Sequence, residues 1–468
     1  MTVVEEMAAF VVRTSIESLS EASRLQLKIR ILDTLGCALG ALDATPVRSV
    51  KQFVTDFSPN GPCTLIGGGW SAPDRAALFN GALVRYLNFN DSYLAPGETC
   101  HPSDNLGAVL AAAELAHADG RTLLTSLAVA YQVQCRLSDE APVRQHGFDH
   151  TTHLAYSVAA GASRALSLDV RCTANAIAIS GTALNALRVS RTGTLSQWKD
   201  LAAPFAASAA TQAVLLAQRG ITGPSELIEG NKGFMQAVAG SFSIDWSREG
   251  LDRIDRTIVK RYGGDVHAQT AIEAALALQR KHGFVAEEIR RVDVDVFAIA
   301  HRIVGGGEDG DKTLVFTKED ADHSLPYLIA VALIDRTVLP TQFAPRRVQR
   351  ADVQALLCRV TVRALPSYSR RFPQEAPSGI TVTLHDGRVF ANSMSDFPGF
   401  HTRPQTWDDV FDKFRTLADG RVLVPRLADI AAAVYDLENI RVTKLTELLR
   451  TIGAPASRDA TLNTKSRK

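Results

Sequence analysis

An excess of charge of either sign is missing from this chain of 468 residues. Lys and Arg together number 51, Asp and Glu number 50, and the formal net charge is +1. No large surface of one sign is therefore expected, and the balance gives no support to binding of nucleic acid or of a membrane. The balanced net charge is still compatible with a local basic pocket for a small anion, because a sum over the whole chain does not show how the charges are distributed.

Closely spaced cysteines are lacking as well. The six cysteines contain no C-x-x-C pair, which argues against a structural zinc site and against an iron–sulfur cradle. Their low density in a chain of this length excludes a disulfide-rich secreted scaffold. We expect reduced, mostly buried cysteines in a cytoplasmic protein.

The chain also lacks a basic leader and a long, strongly apolar run. Glu5 and Glu6 come early, so neither a signal peptide nor a transit peptide is predicted. The longest uncharged stretch, residues 201–218, contains Pro204 and Gln212. We interpret it as a buried helix of a soluble core rather than a membrane span.

Common nucleotide and hydrolase motifs are absent too. No P-loop, G-x-S-x-G elbow or H-E-x-x-H pattern occurs. Residues 305–310 (GGGEDG) spell G-x-G-x-x-G, but Glu308 and Asp309 would repel a pyrophosphate. The segment is predicted to be a mobile loop.

What the chain does contain is a series of Ala- and Leu-rich segments with helical periodicity. Before about residue 265 they are 23–39, 74–87, 104–118, 121–135, 153–166, 172–187 and 204–219. Small side chains let such helices pack closely and be buried on most sides.

Strand patterns follow in the later part of the chain. Residues 291–296 and 358–363 alternate, and 380–390 predicts two strands around Asp386-Gly387. Helical patterns at 266–279 and 325–334 lie among them, and helices return at 407–417, 426–436 and 442–452. We predict a mainly α fold: an all-helical domain from residues 1–267 and 399–468, with an inserted α/β lid domain from 268–398. The polar end, 456–468, is predicted to be disordered.

The loop 87–103 (LNFNDSYLAPGETCHPS) is more polar than a turn requires. His101 precedes Pro102, and Ser103 or Asp104 can cap the helix that follows. His101 would then lie at a helix N-terminus, which favours an anion. It is a candidate acid/base residue beside a carboxylate pocket, and the alternative is a loop histidine in a capping turn.

Two further clusters carry imidazole or cationic groups. Residues 146–153 (HGFDHTTH) offer three histidines but only Asp149 as a nearby carboxylate, so one acid/base or substrate-contacting histidine is favoured over a metal site. Surface or capping histidines are the alternative. Residues 187–202 place Arg188, Arg191 and Lys199 in apolar sequence with Asp200 as the only anion. Such cations usually pair with a protein carboxylate or a bound anion.

Residues 260–269 (KRYGGDVHAQ) and 320–327 (DADHSLPY) lie near the predicted domain boundary and at a helix start. Asp322 or Ser324 is expected to cap that helix. A hinge with charged and aromatic groups often borders a cleft. A plain connector between domains is the simpler interpretation of each segment taken alone.

Together these segments resemble the MmgE/PrpD family. The similarity is carried, in order over residues 5–450, by LNFNDSYLAPGETCHPSDNLGAVLAAAELA, QWKDLAAPFAASAATQAVLLAQRGITGPSELIEGNKGF, KRYGGDVHAQTAIEAAL, DADHSLPYLIAVAL and FPGFHTRPQTWDDVFDKFRTLA. The resemblance implies a helical domain built from both chain ends with an α/β lid, a homodimer, a small polycarboxylate substrate, and no metal or other cofactor.

The family's activities include dehydration of 2-methylcitrate, decarboxylation of cis-aconitate and epimerisation of an imino-dicarboxylate, and the N-D-S-Y and P-G-F-H-T-R-P forms favour the dehydratases. The resemblance, with the residue chemistry, assigns two groups of site residues. The catalytic candidates are His101, His150, Lys199 and Asp91, and the substrate-binding candidates are Ser92, Asn88, Arg188, Tyr327 and His323.

Two positions depart from the family pattern. Asn88 stands where Asp is usual, and Asp200 stands where Gly commonly follows Trp-Lys. An amide cannot take up a proton at working pH, so a different substrate or another base would be needed.

Dehydrating a tricarboxylate requires cations for the carboxylates and groups that transfer a proton. Lys199 and Arg188 can supply the first, and His101 and His150 the second. We therefore predict a metal-independent lyase acting on 2-methylcitrate or a close tricarboxylate. A decarboxylase or epimerase of the same family is the alternative, and a non-catalytic binder of polycarboxylates is the second.

Overall fold

Apolar periodicity gives the first half of the chain its helices. The structure is a computed structural model that describes residues 1–307 and 309–452, so the predicted disordered end at 456–468 lies outside the described residues. The helices are α1 (Val3–Arg13), α2 (Glu21–Gly40), α3 (Thr45–Phe57), α4 (Pro73–Tyr86), α5 (Leu106–Leu115), α6 (Gly120–Glu140), α7 (Thr151–Ala165), α8 (Val170–Ala183) and α9 (Trp198–Gln218).

Local capping fixes where several of these helices begin. The side chains of Thr2, Ser20, Asp119 and Asp169 each accept a backbone N–H of the first turn. Helix α9 begins at Trp198, six residues before the predicted start, and contains Pro204 in its interior. The backbone at Pro204 packs against Gly81 of α4, where an added Cβ would lie 3.3 Å from the proline Cα.

Two short hairpins interrupt this helical part, which the sequence had predicted to be all-helical. Strand β1 (Cys63–Thr64) pairs with β2 (Trp70–Ser71), and β3 (Tyr93–Leu94) pairs with β4 (Thr99–Cys100). The second hairpin lies inside the polar loop 87–103. It holds His101 immediately after its last residue.

The strands predicted after residue 268 form one mixed sheet of β5 (Ile289–Val296), β6 (Val360–Ala364), β7 (Ser378–Leu384) and β8 (Val389–Met394) in the order β6-β5-β7-β8. Strands β5 and β6 are parallel, and the other pairs are antiparallel. Val292, Val294 and Val296 are buried, as their alternation predicted. The Asp386-Gly387 turn joins β7 to β8.

Helices surround this sheet and follow it. They are α10 (Gln269–His282), α11 (Ala298–Val304), α12 (Lys318–Ala321), α13 (Leu325–Asp335), α14 (Pro345–Val348), α15 (Ala351–Leu357) and α16 (Pro366–Ser369), then α17 (Trp407–Ala418), α18 (Val424–Tyr435) and α19 (Val442–Arg450). Helix α17 packs on α2, where Gly36 lets the backbone of Phe414 approach closely. The fold is mainly α.

Two large apolar cores divide the described chain. One contains residues of 4–259 and 410–452, and the other contains residues of 258–400 together with Leu94. We call residues 3–257 and 401–452 the helical region and residues 258–400 the α/β region. The predicted domain limits at 267 and 399 fall close to this division and stay predictions.

Helix α9 is the most apolar long helix of the described chain. By length and composition it could cross a membrane, but 67% of its most apolar window is buried within the protein. It packs against α4, α7 and α8. This burial is typical of a core helix.

Candidate active site

A small polar cleft lies where the two regions meet. The helical region contributes Arg85, Thr99, His101, Arg144, His150, Arg188 and Arg191, and the α/β region contributes Asp265, His267, Ile303, Asp309 and His323. Among the described residues the lining therefore holds four arginines and four histidines against two aspartates. Such a lining suits a small anion with several carboxylates.

The β3–β4 hairpin positions His101. Its Nδ1 lies 2.8 Å from the carbonyl oxygen of Asp91 and 3.1 Å from Ser92 Oγ. A carbonyl can only accept, so Nδ1 carries the proton and Nε2 is the basic nitrogen. Burial, followed by the positive charges of Arg85 and Lys260, holds the pKa of His101 well below its usual value.

The side chain of Asp91 holds the residues after this hairpin in place by accepting two hydrogen bonds. Its Oδ1 accepts the backbone N–H of Ser103 at 2.9 Å, and its Oδ2 accepts the Tyr131 hydroxyl at 2.7 Å. Asp91 is completely buried and is not part of the cleft lining. Its contact with His101 runs through its backbone carbonyl.

The predicted cap after His101 is wrong. The turn at Pro102–Asn105 is a short 3-10 helix without a side-chain cap from its N-terminal residue. The carboxylate of Asp91 occupies the Ser103 N–H instead, because the hairpin brings these residues together. The N–H of Ser103 is therefore not available to a ligand at this helix end.

His150 lies directly before α7 and faces His101, with ring centroids 5.3 Å apart. Its Nδ1 is 3.4 Å from Asp149 Oδ1, and its buried Nε2 has no hydrogen-bond partner among the described residues. Burial lowers the pKa of His150 well below the usual value, and the Asp149 carboxylate opposes this only in part.

The neighbouring histidines do not join His150. His146 is exposed, and His153 donates from Nε2 to the carbonyl of Ala141 at 2.9 Å. No group of three His, Cys, Asp or Glu side chains in the described part of the chain is placed to hold a metal ion.

The arginines of the cleft are only partly paired. Arg188 Nη2 donates to Asp309 Oδ2 at 2.7 Å, and Arg191 Nε donates to Asp149 Oδ2 at 2.6 Å. The buried Nη1 atoms of Arg144 and Arg191 have no partner in residues 1–307 and 309–452. Leaving such donors unsatisfied costs free energy, so these atoms are suited to a bound anion.

Asp309 comes from the loop at 305–310 that the sequence predicted to be mobile. Its side chain is buried against Arg188, and residue 308 is outside the described residues. The loop therefore contributes a carboxylate to the cleft.

Lys199 does not reach the cleft lining. It is completely buried, and its Nζ is 2.6 Å from Asp322 Oδ1 and 3.5 Å from Asp200 Oδ1. Of the two partners that its apolar sequence context allowed, the structure shows a protein carboxylate. Asp322 in turn contacts His323, which does line the cleft.

His323 of the α/β region and Asn88 of the helical region both lie close to this contact, with Asn88 Nδ2 3.5 Å from His323 Nδ1. His323 Nδ1 is 2.7 Å from Asp322 Oδ1, and burial followed by the charge of Lys199 lowers the pKa of His323 to about 4. Asn88 Oδ1 accepts from Arg85 Nη1 at 2.9 Å and from Lys260 Nζ at 3.1 Å. The amide thus links two cations beside the cleft without lining it.

Tyr327 is directed away from the cleft. It is fully buried in the core of the α/β region, where its hydroxyl donates to the carbonyl of Gln342. Ser324 caps α13 by accepting the N–H of Tyr327, as one of the two predicted caps. This places His323 at the cleft and Tyr327 one helical turn away, in the core.

Several lining residues were not identified from the sequence, namely Arg85, Thr99, Arg144, Asp265, His267 and Asp309. His267 Nδ1 is 2.7 Å from Asp265 Oδ1, and its Nε2 is 3.2 Å from Thr99 Oγ1. The D-V-H sequence at the predicted hinge was the available signal for this pair. Arg85 and Arg144 lie in segments that read as ordinary helix and turn.

Comparison with known proteins supplies the context for this cleft. The MmgE/PrpD N-terminal domain matches residues 5–247, and the MmgE/PrpD C-terminal domain matches residues 262–437. A 2-methylcitrate dehydratase of Cupriavidus necator is 29% identical over 457 residues, covering 90% of this chain and 90% of that protein.

Two eukaryotic proteins show similar coverage. The mitochondrial 2-methylcitrate dehydratase of Yarrowia lipolytica is 27% identical over 90% of this chain and 85% of its own length. The cis-aconitate decarboxylase of Mus musculus is 26% identical over 96% of this chain and 93% of its own length. With both domains matched in order over nearly its whole length, the chain belongs to the MmgE/PrpD family.

Proposed function

We propose that this protein is a hydro-lyase that removes water from 2-methylcitrate or a close tricarboxylate in the cleft between its two regions. Relatives in bacteria and yeast bear the name 2-methylcitrate dehydratase. The substrate class fits a lining with four arginines and two aspartates.

One observation carries the proposal. Four atoms of the cleft residues are buried without a hydrogen-bond partner among the described residues: Arg85 Nε, Arg144 Nη1, Arg191 Nη1 and His150 Nε2. Three belong to permanently charged guanidinium groups and one is a neutral imidazole nitrogen. Carboxylates satisfy the guanidinium donors, and the imidazole nitrogen can take a proton.

Elimination of water begins with a proton next to a carboxylate. Nε2 of His101 or His150 removes that proton, and the C–H electron pair forms the double bond while the C–O bond to the hydroxyl breaks. The imidazolium formed in the first step returns its proton to the departing hydroxide, so water leaves and the base is regenerated. Because the pKa values of both histidines are lowered, the imidazoles are unprotonated at neutral pH and Nε2 can accept a proton.

The arginines stabilise the charge that develops during this step. Loss of the proton spreads negative charge onto the adjacent carboxylate, and fixed guanidinium groups in a buried site stabilise it strongly. Asp91 and Ser92 act through His101, since both contact its Nδ1 side. Metal independence is part of the proposal and requires a test of its own.

Asn88 bears on the rival proposals. Its amide contacts Arg85 and Lys260 but lies outside the lining, so the proposed bases are histidines and do not depend on it. This favours an enzyme over a non-catalytic binder. The mouse relative named cis-aconitate decarboxylase keeps decarboxylation as the second candidate, since the same cationic wall would stabilise a carbanion.

The direct test is incubation of purified, chelator-treated protein with 2-methylcitrate stereoisomers, citrate and cis-aconitate, followed by mass spectrometry. Loss of water from 2-methylcitrate with chelator present supports both the reaction and metal independence. Loss of CO₂ from cis-aconitate assigns the decarboxylase instead. Stabilisation against heat by one acid without any product would identify a binder.

Two further parts of the proposal concern the cell and the assembly. We propose a cytoplasmic homodimer. Light scattering of the purified protein tests the oligomeric state, since a monomer mass at working concentration would contradict the dimer.

A further inference from the structure

A closed group of charges lies behind the cleft. We call Lys199, Asp200, Lys318 and Asp322 the Lys–Asp cluster. Asp322 pairs with both lysines: Lys199 Nζ is 2.6 Å from its Oδ1, and Lys318 Nζ is 2.9 Å from its Oδ2. Lys318 Nζ also lies 2.5 Å from Asp200 Oδ2. Two positive and two negative charges make the cluster neutral.

The cluster joins the two regions of the molecule. Lys199 and Asp200 lie on α9, while Lys318 and Asp322 lie in and beside α12. The side chains of Lys199 and Asp322 are both completely buried. Because neither lysine lines the cleft, their charges are not available for direct contact with a substrate.

Two hydrogen bonds connect Asp322 of the cluster to the cleft: its backbone carbonyl accepts the N–H of Asp265 at 2.9 Å, and its carboxylate contacts His323. His323 Nδ1 is 2.7 Å from Asp322 Oδ1, so the carboxylate accepts from Nδ1 and fixes the proton there. The other ring nitrogen, Nε2, is 3.7 Å from Asp265 Oδ2, a separation too long for a hydrogen bond. The lone pair of Nε2 is therefore free to act on the cleft side.

We propose that Lys199 and Lys318 are positioning residues: they hold the Asp322 carboxylate ionised and fixed, so that neutral His323 presents a basic Nε2 to the substrate. This inference rests on the proposed function and changes the role of Lys199 from a catalytic group to one that acts through Asp322 and His323.

Two lysines are needed because an unaccompanied carboxylate would do the opposite. A buried Asp322 with no other counter-ion would be stabilised by converting His323 to imidazolium, which raises the histidine pKa and removes the base. The charged groups that act on His323 are Lys199 from α9, Asp322 beside it and Asp265 from the hinge. The other charged and titratable groups of the lining are Arg85, His101, Arg144, His150, Arg188, Arg191, His267 and Asp309. After burial, the positive charge of Lys199 makes the largest contribution to the lowered pKa of His323.

The test compares Lys199→Met with Lys413→Met in the full chain. Lys413 is a matched control, because it is also a buried lysine with a carboxylate partner, Asp33 at 2.7 Å, and does not touch Asp322. Nitrogen NMR of ¹⁵N-histidine-labelled protein reports the tautomer and titration of His323, assigned with His323→Asn. The pH profile of kcat/KM reports the same group during turnover.

We expect Nδ1-protonated His323 in the unchanged protein. Lys199→Met should raise its titration point by about one pH unit or more and move the acidic limb of kcat/KM upward equally. Asp322→Asn should lower the titration point, and Lys413→Met should leave it in place. If Lys199→Met folds poorly, Lys199→Met/Asp200→Asn keeps the cluster neutral and carries the same expectation.

Two results overturn the inference. One is Nε2-protonated His323 in the unchanged protein. The other is a Lys199 variant that raises KM without moving the His323 titration, since that is the behaviour of a direct substrate contact. The NMR result needs no substrate, so an absence of dehydratase activity would contradict the proposed function and leave the arrangement of His323 to be decided separately.

Discussion

The two walls of the cleft differ in charge. The helical region contributes all four arginines of the lining and no carboxylate, while the α/β region contributes both aspartates and no arginine. Each wall contributes two histidines. By its charge the helical wall is therefore the side suited to carboxylates, whereas the aspartates of the α/β wall would repel them and orient the imidazoles of that wall.

The walls also differ in how their polar atoms are satisfied. On the α/β side, His267 and His323 each have a carboxylate within 2.7 Å of Nδ1. On the helical side, Arg144, Arg191 and His150 keep buried atoms without a partner among the described residues. We infer that the α/β wall is preorganised, whereas the helical wall is completed by its ligand.

The largest effect is expected at the helical wall from His101→Gln. Removing a positioned base should lower kcat/KM by about 10²–10⁴-fold while the protein stays folded. Steady-state kinetics and thermal unfolding check this, with the exposed His146→Gln as the matched control. A loss below about tenfold would remove His101 from the proposed chemistry.

A smaller effect, on binding, is expected from Arg144→Met. One or two charge-assisted hydrogen bonds to substrate would be lost, so KM should rise about 10–100-fold with kcat nearly unchanged. Its partner Glu98 keeps the backbone N–H groups of Thr99 and Arg144 and should tolerate the change.

The control for this variant is Arg164→Met, a half-buried arginine that donates to the carbonyl of Thr14 away from the cleft. Equal KM values for the two variants would show that the unpartnered atom of Arg144 does not bind substrate.

At the α/β wall, removal of a charge is expected to leave KM level or to lower it, whereas at the helical wall it raises KM. Asp265→Asn removes a repelling charge but also weakens the hold on His267, so kcat should fall about tenfold while KM stays level or drops. Asp309→Asn removes a comparable charge that contacts Arg188 and no histidine. It should lower KM without the loss in kcat, and a rise in KM for both variants would contradict the division between the walls.

The smallest effect concerns stability against pH. His101, His150 and His323 have pKa values lowered in the folded state, that of His323 to about 4. Their contribution to the free energy of unfolding is complete above about pH 6.5, the pKa of histidine in the unfolded chain. It is lost as the pH falls through that value toward the pKa of the folded state. Burial acts in the opposite direction at Asp104, whose pKa it raises to about 6, and at Asp33 and Asp91. The neighbouring cations that lower the pKa values of Asp149 and Asp322 act in the same direction as the histidines.

The melting temperature should therefore fall steadily between about pH 6.5 and pH 4. Differential scanning calorimetry over this range measures the slope, and His323→Asn should make it shallower. A melting temperature that is constant or rises on acidification would show that these imidazoles are not held neutral.

Local sequence was a good guide to the secondary structure. The helical period at 23–39 and 121–135 and the alternation at 291–296 match α2, α6 and β5. Apolar periodicity carries this information because each element buries one side. The short hairpins were missed, since strands of two residues are too short to show a period.

The site was only partly predictable. His101, His150, Arg188 and His323 lie in the cleft, whereas Lys199 pairs with Asp322 and Tyr327 lies in a core. Composition identified Lys199 as a cation that needs a partner, but it did not say which partner. That choice depends on α12 packing against α9 from more than 100 residues away in the chain.

By itself, the sequence determined the mainly α fold, the position of the sheet and the family, because these depend on local periodicity and on ordered motifs. The tertiary structure alone decided which charges face the cleft. Arg85 and Arg144 enter it, and the Lys–Asp cluster lies behind it. The reason is that a buried charge takes its partner from whichever segment packs against it, and long-range packing leaves no pattern in the neighbouring residues.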